Sequence, residues 1–171
     1  MPLRRIREDE WQRWRDFRYA MLSDAPNAFG MTYADAIARP DDDWRTRTRD
    51  LATTEHTTYV VVEEDGEWLA GAGGYVEDGI PNVFGVWTHP DARGRGLAEQ
   101  CVQAIVDWAA GLGAAEVRLW ATDGNDAARR VYDRLGFTPT GATQPLPHTP
   151  ELVESEYARP LGTADASAPS H

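Results

Sequence analysis

The chain is poor in cysteine: its 171 residues include one, Cys101. No internal disulfide can form, so the fold must rest on its core, and a reducing compartment, the cytoplasm, is the expected location. No stretch reaches the ~18 consecutive apolar residues of a membrane span. The start, MPLRRIREDE, has basic residues with no apolar run behind them. Neither a membrane partner nor a signal peptide is expected. Positive charge is scarce as well: 17 Lys+Arg against 28 Asp+Glu leave a net charge of −11. That excludes nucleic acid as the main partner, because neutralising phosphates takes a basic face. It is compatible with a cationic substrate, although solubility alone accounts for it. The four histidines, His56, His89, His148 and His171, lack metal-ligand spacing, so no metal is expected. Repeats and internal linkers are missing. One domain over 1–161 is expected, followed by a small polar tail, 162–171, expected to be disordered. Nothing in the composition opposes a homodimer.

What is present is enough for a core. Hydrophobic residues make up 42% of the chain and seven are Trp. A domain of this size buries roughly 68–70% of its unfolded surface. Leu3 to Arg7 reads as a first strand. From Asp9 the period becomes helical, with Trp11, Trp14, Phe17, Met21 and Leu22 on one stripe. Ser23-Asp24-Ala25-Pro26 ends that helix. A short helix to Ala38 and a second from Trp44 to Leu51, started by Pro40 and three Asp, follow. Thr57 to Glu63 and Trp68 to Val76 form a hairpin around Asp65-Gly66. Gly71, Gly73 and Gly74 in its return strand predict a bulge or a close backbone approach.

After a turn at 77–82, Val83 to Thr88 is a strand, and a long helix runs from about Gly94 to Leu112. Its apolar face is Leu97, Cys101, Ile105, Trp108 and Leu112. Glu116 to Ala121 is a strand, Asp126 to Leu135 a helix and Phe137 to Gly141 a strand. A Pro-rich loop, 143–150, then leads to a last strand, Leu152 to Ala158. The path from Val83 to Ala121 is a parallel β-α-β crossover. The expected fold class is α/β: a single-domain, mixed, mostly antiparallel sheet with helices on both faces.

The most informative segment joins a strand to the long helix: His89-Pro90-Asp91-Ala92-Arg93-Gly94-Arg95-Gly96-Leu97-Ala98. Its glycines permit a tight turn and close ligand approach. The first helical N–H groups have no intrahelical partners, and the helix dipole puts partial positive charge beside them. Arg93 and Arg95 add full charges, so the turn suits a phosphate. A P-loop is excluded because no Gly-Lys-Ser/Thr follows. A dinucleotide fingerprint fits badly, since its third glycine would fall at Glu99. An ordinary Gly-rich turn with solvated arginines remains open on this segment alone.

The neighbouring residues extend the pattern. Val86-Trp87-Thr88 and the turn after it, with the core Arg93, Gly96 and Ala98, resemble the acetyl-CoA signature of the GNAT superfamily of N-acetyltransferases. Asn125-Asp126-Ala127-Ala128-Arg129-Arg130-Val131-Tyr132, followed by Gly136-Phe137, resembles that family's second block. The resemblance implies acetyl-CoA as acyl donor. It implies that backbone N–H groups of Arg93, Gly94, Arg95, Gly96, Leu97 and Ala98 bind the pyrophosphate. Val86, Trp87 and Thr88 would offer backbone groups to the pantetheine, and Asn125 a hydrogen bond to pantetheine or substrate. Tyr132 would protonate the departing thiolate. Tyr132 lies about two helical turns after Asn125, on the same face, and a phenol keeps its proton at neutral pH. A packed core Tyr beside Val131 and Leu135 is the competing reading.

The proton acceptor is open among Glu77, Asp78, Glu151, Glu154 and His148. Cys101 reads as a core residue. Phe29 and Tyr33, in an irregular segment, are expected to contact the acceptor together with 143–150. A small-molecule amine such as a polyamine, amino acid or antibiotic is the expected acceptor. A protein N-terminus or lysine, and a non-catalytic acyl-CoA-binding module, are the alternatives.

Overall fold

The computed structural model describes residues 2–162. The expectation of a disordered tail therefore falls, from 163 onward, outside the described residues. In chain order the elements are β1 (Leu3–Arg5), α1 (Trp11–Asp24), α2 (Tyr33–Ile37), α3 (Asp41–Thr53), β2 (Thr57–Glu64), β3 (Glu67–Glu77) and β4 (Ile80–Thr88). Then come α4 (Leu97–Gly111), β5 (Glu116–Thr122), α5 (Asp126–Arg134), β6 (Thr138–Leu146) and β7 (Thr149–Pro160). The strands form one seven-stranded sheet in the order β1-β2-β3-β4-β5-β7-β6. Every pairing is antiparallel except β4 with β5.

Alternation along β2 builds two cores. Tyr59 and Val61 pack with Trp14, Phe17 and Met21 of α1 and Trp44 of α3. Val60 and Val62 point the other way, to Leu97, Cys101 and Ile105 of α4. Successive strand side chains face opposite sides, so the sheet carries helices on both faces. Burying each large apolar side chain contributes about 1.5–3 kcal/mol, which lets two such layers hold the sheet without a disulfide.

Several boundaries differ from the sequence expectation. The helix expected from about Gly94 begins at Leu97, because Gly94 and Gly96 take left-handed backbone, φ +83° and +73°. Leu112, expected on its buried face, caps its end and is 37% exposed. Ile80, Pro81 and Asn82 belong to β4 and not to the turn, which tightens to Asp78-Gly79. The largest correction concerns the Pro-rich segment. It is not a loop: β6 runs through Pro145 to Leu146 and pairs with β7 from Thr149. The strand order makes β6 the sheet edge, where a proline removes no ladder hydrogen bond on the open side.

Candidate active site

The sheet opens where its one parallel pair parts. β4 and β5 are in register only at Asn82–Arg118 and Val83–Leu119. Beyond Val83, β4 stays paired to β3 on its other side, and β5 stays paired to β7. The backbone edge of β4 from Phe84 to Thr88 therefore faces a gap instead of a neighbouring strand. A bulge adds to the divergence. Between Gly71–Trp87 and Gly73–Phe84 the β4 side carries one extra residue, at Gly85-Val86, and Gly85 sits at φ +60°. The fully buried Tyr59 donates its hydroxyl proton to Gly85 O at 2.6 Å, which satisfies a carbonyl that the bulge removes from the ladder. The close approach expected at the β3 glycines is present too: a Cβ at Gly73 would lie 2.3 Å from the Phe84 ring.

The gap is a cleft of about 530 Å³. Val86, Trp87 and Thr88 form one wall, and Arg93, Gly94, Gly96, Leu97 and Ala98 form its end. A Cβ at Gly94 or Gly96 would meet nothing within 4 Å, so the left-handed turn is open to the cleft and sits over the N-terminus of α4. Free N–H groups and dipole converge there as an anion site.

The two arginines behave differently from the expectation that both add charge to it. Arg93 donates to Thr88 O at 3.1 Å and pairs with Asp24. Asp24 also accepts from Trp87 Nε1 at 2.8 Å. The Trp87 hydrogen bond, with Arg93 behind it, holds the Asp24 carboxyl below its ordinary range. Arg95 does not line the cleft and reaches Glu64 at 3.1 Å.

Tyr132, 7% exposed, lines the same cleft from α5. Its ring packs on Phe137 and Tyr157, and burial pushes its phenol up to about 12. Asn125 is in the cleft wall and caps α5, accepting from Ala128 N–H at 3.2 Å. Its oxygen is thus committed to the helix, and its amide N–H₂ is the group left to meet a ligand.

A second cavity of about 560 Å³ opens on the other side of the same junction. Ala28, Phe29, Val83, Phe84, Gly85 and Trp120 line both. The segment around Phe29 is held across the mouth: Thr122 Oγ1 donates to Asn27 O at 2.9 Å, and His148 Nε2 lies 3.1 Å from Pro26 O. Of the open proton acceptors, Glu77, Asp78 and Glu154 line this cavity, joined by Glu156; Glu151 and His148 do not. Gln144 of β6 lines it and donates to Glu154. Tyr33, expected at the acceptor, lines neither cavity. It begins α2, 43% exposed, with its ring edge-on to Tyr19. Cys101 is fully buried, and burial pushes its thiol up to about 12. Among the described residues no group of three or more His, Cys, Asp or Glu is placed to hold a metal ion.

Sequence reasoning missed Arg18, Asp24, Trp120 and Glu156. Arg18 carried a signal: it sits four residues after Trp14 and three before Met21, on the apolar stripe of α1, where a charge is out of place. Asp24 carried none, because only the folded chain brings it to Arg93.

A Gly-rich strand-to-helix turn beside a parted parallel pair, in an otherwise antiparallel sheet, is the arrangement that the comparisons with known proteins match. The chain belongs to the acetyltransferase (GNAT) family, whose model it matches over residues 5–137. It is 38% identical over 103 residues to the mycothiol acetyltransferase of Thermobispora bispora, a match covering 56% of this chain and 33% of that protein. The chain thus spans about a third of that relative's length. It is 22% identical over 149 residues to aminoglycoside N(6')-acetyltransferase type 1 of Salmonella enteritidis, covering 82% of this chain and 93% of the relative. Its fold is similar to that of yncA from Salmonella typhimurium, solved with its cofactor acetyl-CoA. The TM-score is 0.75 at 20% identity, over 94% of each chain.

Proposed function

We propose that this protein transfers an acetyl group from acetyl-CoA to the primary amine of a small molecule, with both substrates bound at once. The observation that carries this reading is the shared junction: six residues line both cavities, so two ligands can meet end to end at the β4 bulge. The donor takes the first cleft. Its pyrophosphate lies on the N–H groups from Gly94 to Ala98, and its pantetheine amides pair with the open edge of β4 from Val86 to Thr88, as an added strand would. Acetyl-CoA bound to a protein of the same fold supports that choice.

The amine enters by the second cavity, whose carboxylates attract a cation. An ammonium with pKa near 10.4 must first lose a proton, at a cost of about 4–5 kcal/mol at pH 7. One of Glu77, Asp78 and Glu154 accepts it, directly or through water. The amine nitrogen then attacks the thioester carbonyl, a C–N bond forms, the nitrogen sheds its second proton to solvent through the same carboxylate, and the C–S bond breaks. The thiolate leaves with the proton of Tyr132, whose raised pKa keeps that proton in place until it is needed. Tyr132 recovers it from solvent. Relatives named for mycothiol and for an aminoglycoside support a small-molecule acceptor.

The test is thiol release from acetyl-CoA across polyamines, amino acids, aminoglycosides and peptides. The chain contains no lysine, so the enzyme adds no side-chain ammonium of its own to the assay. Release with small amines, and little with peptides, is the expected result. Release with peptides alone would move the acceptor to protein, and release with none would leave an acyl-CoA-binding module.

A further inference from the structure

The acceptor cavity holds a cation without an ion pair. Arg18 lines it from α1. Among the described residues, no carboxylate lies within salt-bridge distance of its guanidinium, and none of its nitrogens donates to an oxygen. Nη1 reaches only Met21 Sδ, at 3.0 Å. The group lies over the rings of Phe29 and Trp14, 5.6 and 5.9 Å from their centroids. Burial pushes its pKa down, yet a guanidinium stays charged at any working pH. Most arginines seen in this protein's ion pairs, such as Arg4 with Glu10 and Glu63, show the alternative that Arg18 forgoes. Five N–H donors with one thioether partner make a ready site for an oxyanion.

Its position specifies the anion. A Cβ at Gly85 would come within 3.2 Å of Arg18 Nη1, and Gly85 belongs to both cavities. The guanidinium therefore stands beside the junction where amine and thioester meet. Glu77, Asp78, Glu154 and Glu156 line the same cavity, and its second cation, Arg118, lies 3.9 Å from Glu156 and pairs with Glu116. Four carboxylates oppose a phosphate with its multiple charges, whereas one guanidinium fork matches one carboxylate.

We infer that the acceptor is an α-amino acid, with Arg18 binding its carboxylate bidentately and holding the α-amine at the junction. This rests on the acetyl-transfer reading above. An amine close to its carboxylate, and not at the end of a long chain, is what places both groups beside Gly85. The side chain then extends toward the carboxylates, which favour a polar or cationic one.

The test compares each of a panel of α-amino acids with its own α-carboxamide as acceptor, by thiol release from acetyl-CoA. The wild type should prefer the acid in kcat/KM by roughly 10–100-fold, the size of hydrogen bonds to a charged group. The difference should lie mainly in KM. Arg18→Gln should erase the preference by raising KM for the acids, and Arg18→Lys should keep part of it. N-acetylated amino acids should raise the wild-type melting temperature more than their amides do, a readout that needs no variant to fold. Amides or simple amines acetylated as well as the acids by the wild type would overturn the Arg18 inference and leave acetyl transfer intact. Absence of acetyl transfer to any amine would overturn both.

Discussion

Gly96→Asp should abolish acetyl-CoA binding while the protein stays folded. Gly96 sits at φ +73°, the residue before α4, and its Cβ position meets no atom within 4 Å. The new side chain therefore has room, and Asp tolerates left-handed backbone better than most residues. What changes is the field. A carboxylate about 4 Å from a phosphate costs about 4 kcal/mol at an effective dielectric of 20, close to three orders of magnitude in affinity. Gly96→Asn has nearly the same shape and no charge, so it should lose far less. Isothermal titration with CoA separates the two. Equal affinity for wild type and Gly96→Asp would put the pyrophosphate somewhere other than this turn. Equal losses for Asp and Asn would assign the effect to backbone and not to charge.

Tyr132→Phe should lower kcat by roughly 10²–10⁴-fold, the range for loss of a general acid, with little change in CoA affinity. The ring keeps its packing on Phe137 and Tyr157, so only the hydroxyl is removed. The pH profile carries a second signature. Burial raises the Tyr132 pKa to about 12, so the proton-donating form persists at every pH below that value. The wild-type rate should climb as the acceptor amine deprotonates, with no falling limb from Tyr132 up to pH 10. A fall centred near pH 8–9 would give the acid role to another group. Full activity in Tyr132→Phe would remove the phenol from the mechanism and leave the thiolate to depart unprotonated.

Much of this site is readable in the sequence because it is built from local segments. Glycines, arginines and a helix start fall within ten residues at the turn, and Asn125 and Tyr132 share one short helix. The β-branched run Thr57 to Glu63 and the Asp65-Gly66 turn carry the sheet in the same way. What escaped is what only the tertiary fold assembles. Glu77 and Glu154 come from β3 and β7, far apart in the chain, and meet only as lining of the same cavity. The bulge at Gly85 depends on a buried Tyr59 hydroxyl from two strands away. The 143–150 segment looks like a loop because proline opposes strands in general, and an edge position, which the sequence does not declare, lifts that opposition. The partners of Arg93 and Arg95, Asp24 and Glu64, are brought beside them only by the fold. Tyr33 shares a segment with Phe29, yet α2 turns it to Tyr19 and away from both cavities.

The central claim is that donor and acceptor occupy two joined cavities together and react directly. Initial rates of thiol release, with acetyl-CoA and an accepted amine varied against each other, test it most directly. No acyl-enzyme is needed, and the lone thiol, Cys101, is fully buried, so double-reciprocal lines should intersect. Parallel lines, the pattern of ping-pong transfer through a covalent intermediate, would contradict the account.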